Sequence, residues 1–255
     1  MSKYSINSNS MKFTKISFSG IIVLFFFLLT NSAFPADIET SSQDTWEDAE
    51  WTFVVGGAPA PVPGPGDNVF LRTEAEITIE NDQDCDILTI ESDGNDPAIL
   101  IVEEGAVLTI KEDFIVVDVG DDSEIEIIIE GTIIIGDQFS METTNSNSGA
   151  QWIFEVAETG LLDINGTGTS DCEIEIRQSG ALADVTIDGE INTEADFLLQ
   201  VQNDGSIEIN IAKTGKVIAD DYYQRVKSSG STITTNLKGG IISWALEIDS
   251  NMDTY

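Results

Sequence analysis

Residues Ala98 to Asp137 read AILIVEEGAVLTIKEDFIVVDVGDDSEIEIIIEGTIIIGD, and their reading decides the fold. Ile, Val and Leu crowd the χ1 space of a helix but sit well on a pleated surface. Glu124-Ile125-Glu126-Ile127 alternates strictly, which puts carboxylates on one face of a strand and isoleucines on the other. No window holds apolar residues at three-and-four spacing over a helical length. Turn signals such as Glu104-Gly105 and Gly120-Asp121-Asp122 arrive about every ten residues, faster than a helix-containing fold allows. The pattern predicts an all-β chain.

Working outward, inward-facing residues are expected in pairs. They are Ile77/Ile79, Leu88/Ile90, Ile99/Ile101, Leu108/Ile110, Ile115/Val117, Ile125/Ile127 and Ile133/Ile135. After a polar interruption come Trp152/Phe154, Leu162/Ile164, Ile174/Ile176, Val185/Ile187, Leu199/Val201 and Ile207/Ile209. Two such steps make about twenty residues, a common length for one coil of a solenoid with stacked parallel strands. A glycine recurs at strand entrances, at Gly105, Gly131, Gly160, Gly180, Gly205 and Gly215. That suits a corner needing positive φ or close backbone approach. The expected fold is a single-stranded right-handed parallel β-helix over residues 67–248. An antiparallel β-sandwich, with a tight turn in each hairpin, is the alternative.

Residues 1–33 read as a secretory signal peptide. Lys3, Lys12 and Lys15 precede the apolar run Ile21 to Leu29, and Asn31-Ser32-Ala33 offers a small-residue cleavage site. Removing this leader leaves eight basic residues against 46 acidic ones, a net charge of −38. So few cations exclude nucleic acid as a partner, because phosphates would go unneutralised. Anionic membrane surfaces are disfavoured for the same reason, and no membrane insertion is expected after leader removal. Repulsion on this scale calls for screening by salt or divalent cations.

Cys85 and Cys172 occupy matching phrases, Asp84-Cys-Asp-Ile and Asp171-Cys-Glu-Ile. In a regular solenoid they would lie about four coils, on the order of 19 Å, apart. A disulfide needs Cα atoms within about 7 Å. The solenoid therefore predicts two unbridged, inward-facing thiols, whereas a sandwich could join them.

Residues 34–66 are expected to be a linker and cap. Asp37 to Asp44 is polar and reads as loose; Trp46 and Trp51 follow, then Gly56-Gly57 and Pro59, Pro61, Pro63 and Pro65. The run closes in Pro65-Gly66-Asp67-Asn68-Val69. This Trp-x4-Trp pair, proline-glycine loop and ladder-opening phrase resembles the start of secreted bacterial right-handed β-helix proteins, the pectin-lyase-like solenoids found among Bacteroidota surface proteins. The resemblance implies a capped solenoid, with adhesion or polysaccharide association as its work. Residues 249–255 read as a tail, and nothing near them reads as an anchor, so free secretion, the cell surface or the periplasm is expected.

The chain has no histidine. That removes the usual general base, the Ser-His-Asp and Cys-His arrangements and imidazole metal ligation. Paired carboxylates for glycoside hydrolysis are available at Asp121, Asp122, Asp220 and Asp221, but a chain this acidic supplies such pairs by chance. A polyuronate lyase would need more Arg and Lys than the eight present. Oxygen-rich turns make Asp93, Asn95, Asp96, Asp121, Asp122 and Asp204 weak candidates for Ca²⁺, the one cofactor considered. None follows an EF-hand spacing, and Asp, Asn and Gly are ordinary turn formers. Ser140 to Gly149 and Asp220 to Gly230 read as loops thrown out from the coils. The second gathers Tyr222, Tyr223, Arg225 and Lys227, the expected ligand-contacting patch. The leading expectation is a non-enzymatic secreted structural or adhesive module that meets extracellular polysaccharide or another surface protein. The runner-up is a carbohydrate-binding or carbohydrate-active β-helix.

Overall fold

The computed structural model describes residues 36–94, 96–143, 149–166, 172–243 and 245–249. Residues 1–35, with the expected signal peptide, Asn95, residues 144–148 of the first expected loop, residues 167–171, Trp244 and residues 250–255 lie outside the described residues. Residues Met1–Phe34 and Pro35–Tyr255 are separate units, and the second is described below.

Among the described residues every regular element is a strand. The strands stack into three sheets, and apart from Thr52–Phe53, which joins the first sheet, each sheet takes every third strand of the chain. Sheet I holds ten strands, sheet II eight and sheet III seven. All pairings are parallel except Thr52–Phe53 against Asp37–Thr40 at the edge of sheet I. Consecutive strands never pair with each other, so hairpins and the sandwich alternative are excluded. The chain is a parallel β-solenoid.

Each coil carries one strand from each sheet. Hydrogen-bonded partners Cys85, Ile110 and Ile135 stand 25 residues apart, as do Cys172, Phe197 and Tyr222. A coil is thus longer than the twenty residues expected from two strands. The third strand is easily missed because sheet III strands are short. Gln83–Cys85 places a single side chain, Cys85, inside, and one residue makes no alternation.

Register fixes what each column buries. In sheet II the columns run Ile77, Leu100, Ile127, Phe154, Val185, Ile209 and Ala98, Ile125, Trp152, Ala183, Ile207. The smallest side chain follows the largest, so Trp152 has room over Ala183. In sheet I the column Leu88, Phe114, Phe139, Cys172, Phe197, Tyr222 is mostly aromatic. Phe114 and Phe139 meet edge to face with centroids 5.2 Å apart. Cys85 and Cys172 are both buried thiols in such columns, on different sheets. Burial first, then the neighbouring Asp84 and Asp86 carboxylates, pushes the Cys85 thiol far above its ordinary pKa.

Two expected pairs face the wrong way. Ala98, Leu100 and Val102 point inward and Ile99 and Ile101 outward; Phe114 and Val116 point inward and Ile115 and Val117 outward. In AILIV and FIVV both alternations are apolar, so no polar residue marks the phase. Pairing sets it instead, with Ile125 and Ile127 for AILIV and with Leu88 and Ile90 for FIVV. The stretch from Asp37 to Asp44, expected to be loose, is largely strand. Asp37–Thr40 and Gln43–Thr45 already pair parallel with the coil above. Trp46 and Trp51 are buried against each other at this end, with centroids 5.0 Å apart and the Trp51 indole N–H donating to the Trp46 carbonyl.

Candidate functional site

The expected ligand patch is no loop. Asp221–Val226 is a strand of sheet I, paired on both sides. Alternation therefore separates its residues. Tyr222 points inward, fully buried, and stacks on Phe197 at 5.4 Å with planes 12° apart. Its hydroxyl accepts a hydrogen bond from Gln224 Nε2 at 2.9 Å, and burial pushes its pKa up to about 12. Tyr222 is a core residue, and its place in the patch is corrected. Tyr223 and Arg225 do face outward. The Arg225 guanidinium lies 4.6 Å from the Tyr223 ring centroid, and the Tyr223 hydroxyl donates to Asp221 Oδ2 at 2.8 Å. That hydrogen bond to a carboxylate moves the Tyr223 pKa up to about 12. Lys227 is exposed at the following corner.

The outward row of sheet I continues from Arg225 through Gln200 and Glu175 to Glu142. Glu175 is only 2% exposed although it lies on the outer face. Burial alone would raise its pKa, but hydrogen bonds from Arg177 and Gln200 and the Arg177 charge outweigh burial and hold it below the usual carboxylate range. Arg177 also donates to Glu142, so one guanidinium ties carboxylates of two coils together.

The acidic turn residues stack at the corner between sheets I and II. Thr73 Oγ1 donates to Asp93 Oδ1 at 2.6 Å and accepts from the Asp93 amide at 2.9 Å. Asp96, Asp121 and Asp122 are exposed. Asn203 and Asp204 both have positive φ, 56° and 62°, which their short polar side chains tolerate in a tight turn. Among the described residues no three His, Cys, Asp or Glu side chains gather as a metal site would need. Asn95 lies outside them.

Sequence reasoning missed an open depression of about 640 Å³ near the N-terminal end of sheet I. Its centre is Arg72, just past the strand Asn68–Leu71. The guanidinium lies 4.9 Å from the Phe70 ring centroid, donates from Nε to Glu39 Oε2 at 2.9 Å and from Nη1 to Glu91. Glu39 and Glu91 come from the coils on either side. They stand 33 residues before and 19 after Arg72, so only the coil length relates them in the sequence. Thr40, Ser42, Thr52 and Thr73 add hydroxyls to the walls, and Glu50 and Asp93 add carboxylates. The wall is internally bonded as well: Thr40 Oγ1 and Ser42 Oγ lie 2.6 Å apart, Thr40 donates to the Glu50 carbonyl, and Thr73 is held by Asp93, so a polar ligand would meet a prearranged surface of hydroxyls and carboxylates.

A second depression of about 320 Å³ crosses the outer face of sheet II. The aliphatic Ile153 and Leu182 project there between Glu124, Glu126, Gln151 and Asp184. The row through it reads Glu76, Ile99, Glu126, Ile153, Asp184, Glu208, so acids and aliphatics share one flat outer surface.

No family model, no curated protein and no solved structure matches the chain. The fold itself is what the structure has in common with the resemblance read from Trp46 to Leu71.

Proposed function

We propose that the chain is a non-enzymatic, secreted or cell-surface β-solenoid of the pectin-lyase-like kind, acting as a structural or adhesive module through its outer faces. One observation carries this reading. The row from Glu76 to Glu208 lays acids and aliphatics in single file along the axis, one per coil, in place of a convergent constellation of reactive groups. Strands stacked about 4.8 Å apart make such a row a ruler that a repetitive polymer or an extended partner surface can follow. Because the face is acidic, the fitting partner is cationic, neutral, or bridged by divalent ions.

The test is binding of the purified protein to immobilised extracellular polysaccharides and to its producing cells, with and without Ca²⁺. Saturable binding lost in Ile153→Lys/Leu182→Lys supports the reading. Release of reducing ends or unsaturated sugars from any polysaccharide would replace it with an enzymatic one. Calcium enters as a bridging or corner-bound ion: a melting temperature raised by millimolar Ca²⁺, beyond NaCl of equal ionic strength, is the expected result.

The cleft around Arg72 favours a second reading, carbohydrate binding. Hydroxyls and carboxylates around a stacked guanidinium match the donors and acceptors of a sugar. Glycan binding abolished by Arg72→Gln but kept in Ile153→Lys/Leu182→Lys would select it.

A further inference from the structure

The three outer faces differ in how their charges are met. On sheet I, Arg72 ties Glu39 to Glu91 and Arg177 ties Glu142 to Glu175; on sheet III, Lys216 lies 3.2 Å from Glu190. Sheet II has no such compensation. None of its eight strands contains a Lys or Arg, yet Glu76, Glu124, Glu126, Glu155, Asp184 and Glu208 all face outward from them. Among the described residues, Glu124, Glu126, Glu155 and Asp184 take part in no ion pair. Arg177, at the corner that leads into Leu182–Ile187, is occupied by the two glutamates of sheet I.

Aliphatic side chains share this face, and register sets them on a diagonal. Ile101 and Ile128 are neighbours in one outward column. Ile153 stands one strand on and two residues back, in the column of Glu126. Leu182 repeats that step, in the column of Gln151 and Glu124. At about 4.8 Å per strand and 3.3 Å per residue, the stripe from Ile101 to Leu182 is about 20 Å long. Glu124 and Glu126 flank it on one side, Glu155 and Asp184 on the other. Its far half is well exposed, Ile153 at 45% and Leu182 at 40%, and the depression of about 320 Å³ opens beside these two.

A partner that covers this face is apolar along its middle and cationic along both edges. It is not a strand added to the sheet, because Ala98–Val102, Glu124–Ile129, Gln151–Val156 and Leu182–Ile187 are already paired on both sides. It must arrive with its own backbone hydrogen bonds made, as a helix does, and about 20 Å is about 13 residues of helix. A second copy would set carboxylates against carboxylates. A neutral glycan would leave the acids unmet.

We propose that the outer face of sheet II binds a cationic amphipathic helix. Its apolar stripe lies along Ile101, Ile128, Ile153 and Leu182, and its Lys or Arg rows meet the acids on either flank. This rests on the reading of sheet II as the adhesive face and names the chemistry of what adheres.

The probe is a Leu/Lys peptide of about 18 residues whose leucines form one helical stripe, set against a peptide of the same composition in an order without a stripe. Every described regular element of the protein is a strand, so helical circular dichroism gained on mixing reports the peptide. The expected result is saturable one-to-one binding with a gain of helical signal, at least about tenfold tighter for the striped peptide. Ile153→Ser/Leu182→Ser and Glu126→Gln/Asp184→Asn, outward positions that leave the core intact, each weaken it at least about tenfold. Glu112→Gln/Asp220→Asn removes the same charge at the corner between sheets III and I and changes affinity less than about twofold. No saturable binding, equal affinity for the two peptides, or equal losses from the two charge-removing pairs overturns the proposal. If the peptide does not bind while binding to polysaccharide or cells still depends on Ile153 and Leu182, this inference falls and the adhesive reading stands; if neither binds, both fall.

Discussion

Gly189→Ala should be among the most damaging single-methyl changes this solenoid can suffer. Gly189 sits in the two-residue turn between Leu182–Ile187 and Glu190–Thr193, directly over the four-residue turn of the coil below. A Cβ there would meet the Ala157 carbonyl oxygen at 2.2 Å and the Gly160 carbonyl oxygen at 2.3 Å. Relief requires the two turns to part by about 1 Å, and interiors packed at native density resist that. The bonds at risk are Gly189 N–H to Val156 O and Glu190 N–H to Gly160 O, both 3.0 Å. Overpacking costs about 1–3 kcal/mol, and two weakened ladder bonds add about 1 kcal/mol each. The expected loss is therefore about 2–5 kcal/mol. Gly64→Ala is the control. A Cβ at Gly64 meets nothing within 4 Å, and the backbone is not left-handed. Restricting the unfolded chain there should be neutral or stabilising by about 0.4–1 kcal/mol. Urea titration followed by circular dichroism reads both, and hydrogen exchange shows whether the loss is confined to the coils around Gly189. Equal stability of the two variants would refute the claim that backbone contact between coils demands glycine at this corner.

Four further outcomes follow from the packing and the charges. Tyr222→Ala removes a buried, stacked ring and should cost about 3–5 kcal/mol, whereas Tyr223→Ala on the outer face should stay within about 0.5 kcal/mol; urea midpoints separate them. Glu175 has a folded pKa below its unfolded one, so its contribution to stability is complete above about pH 4.3 and is lost as pH falls through the depressed folded value. Glu175→Gln should flatten that part of the acid limb in a pH series of urea midpoints, and an unchanged limb would count against the Arg177 and Gln200 account. Cys85 and Cys172 should resist a thiol reagent in the native protein and both react after denaturation, while a titre of zero in denaturant would mean a bridge. Phe154→Ala, at the middle of the sheet II stack, should cost about 3–5 kcal/mol and lower the melting temperature accordingly.

The architecture was readable from Ala98 to Asp137 because aliphatic alternation and acidic turns are local signals. Strand phase was readable only where a polar residue marked one face: EIEI was assigned to the correct face, AILIV and FIVV were not. Coil length failed for a related reason. A three-residue strand such as Gln83–Cys85 turns one side chain inward, and a single position has no period. The strand Asp221–Val226 was mistaken for a loop because Tyr, Gln and Arg dilute its apolar pattern, although its neighbours supply the ladder. The Arg72 cleft assembles residues from three coils, and no local motif announces a contact that depends on the length of a coil. An arginine, one of only three in so acidic a chain, was the one available hint.

From residue 103 onward, the turns between sheets II and III alternate in length. Those ending at Ala106, Gly160 and Gly215 have four residues; those at Gly131, Gly189 and Gly239 have two. Each short turn settles into the hollow of the long one beneath, as the carbonyls crowding Gly131, Gly189 and Gly239 record. The translational unit of this rod is accordingly a pair of coils, and the long-turn ends Ala106, Gly160 and Gly215 recur at intervals of 54 and 55 residues. Lengthening or shortening the protein by one coil would set like against like at that corner and leave a void or a clash. Growth or trimming by two coils would preserve the fit, so any gene duplication that built this chain had to copy its coils in couples.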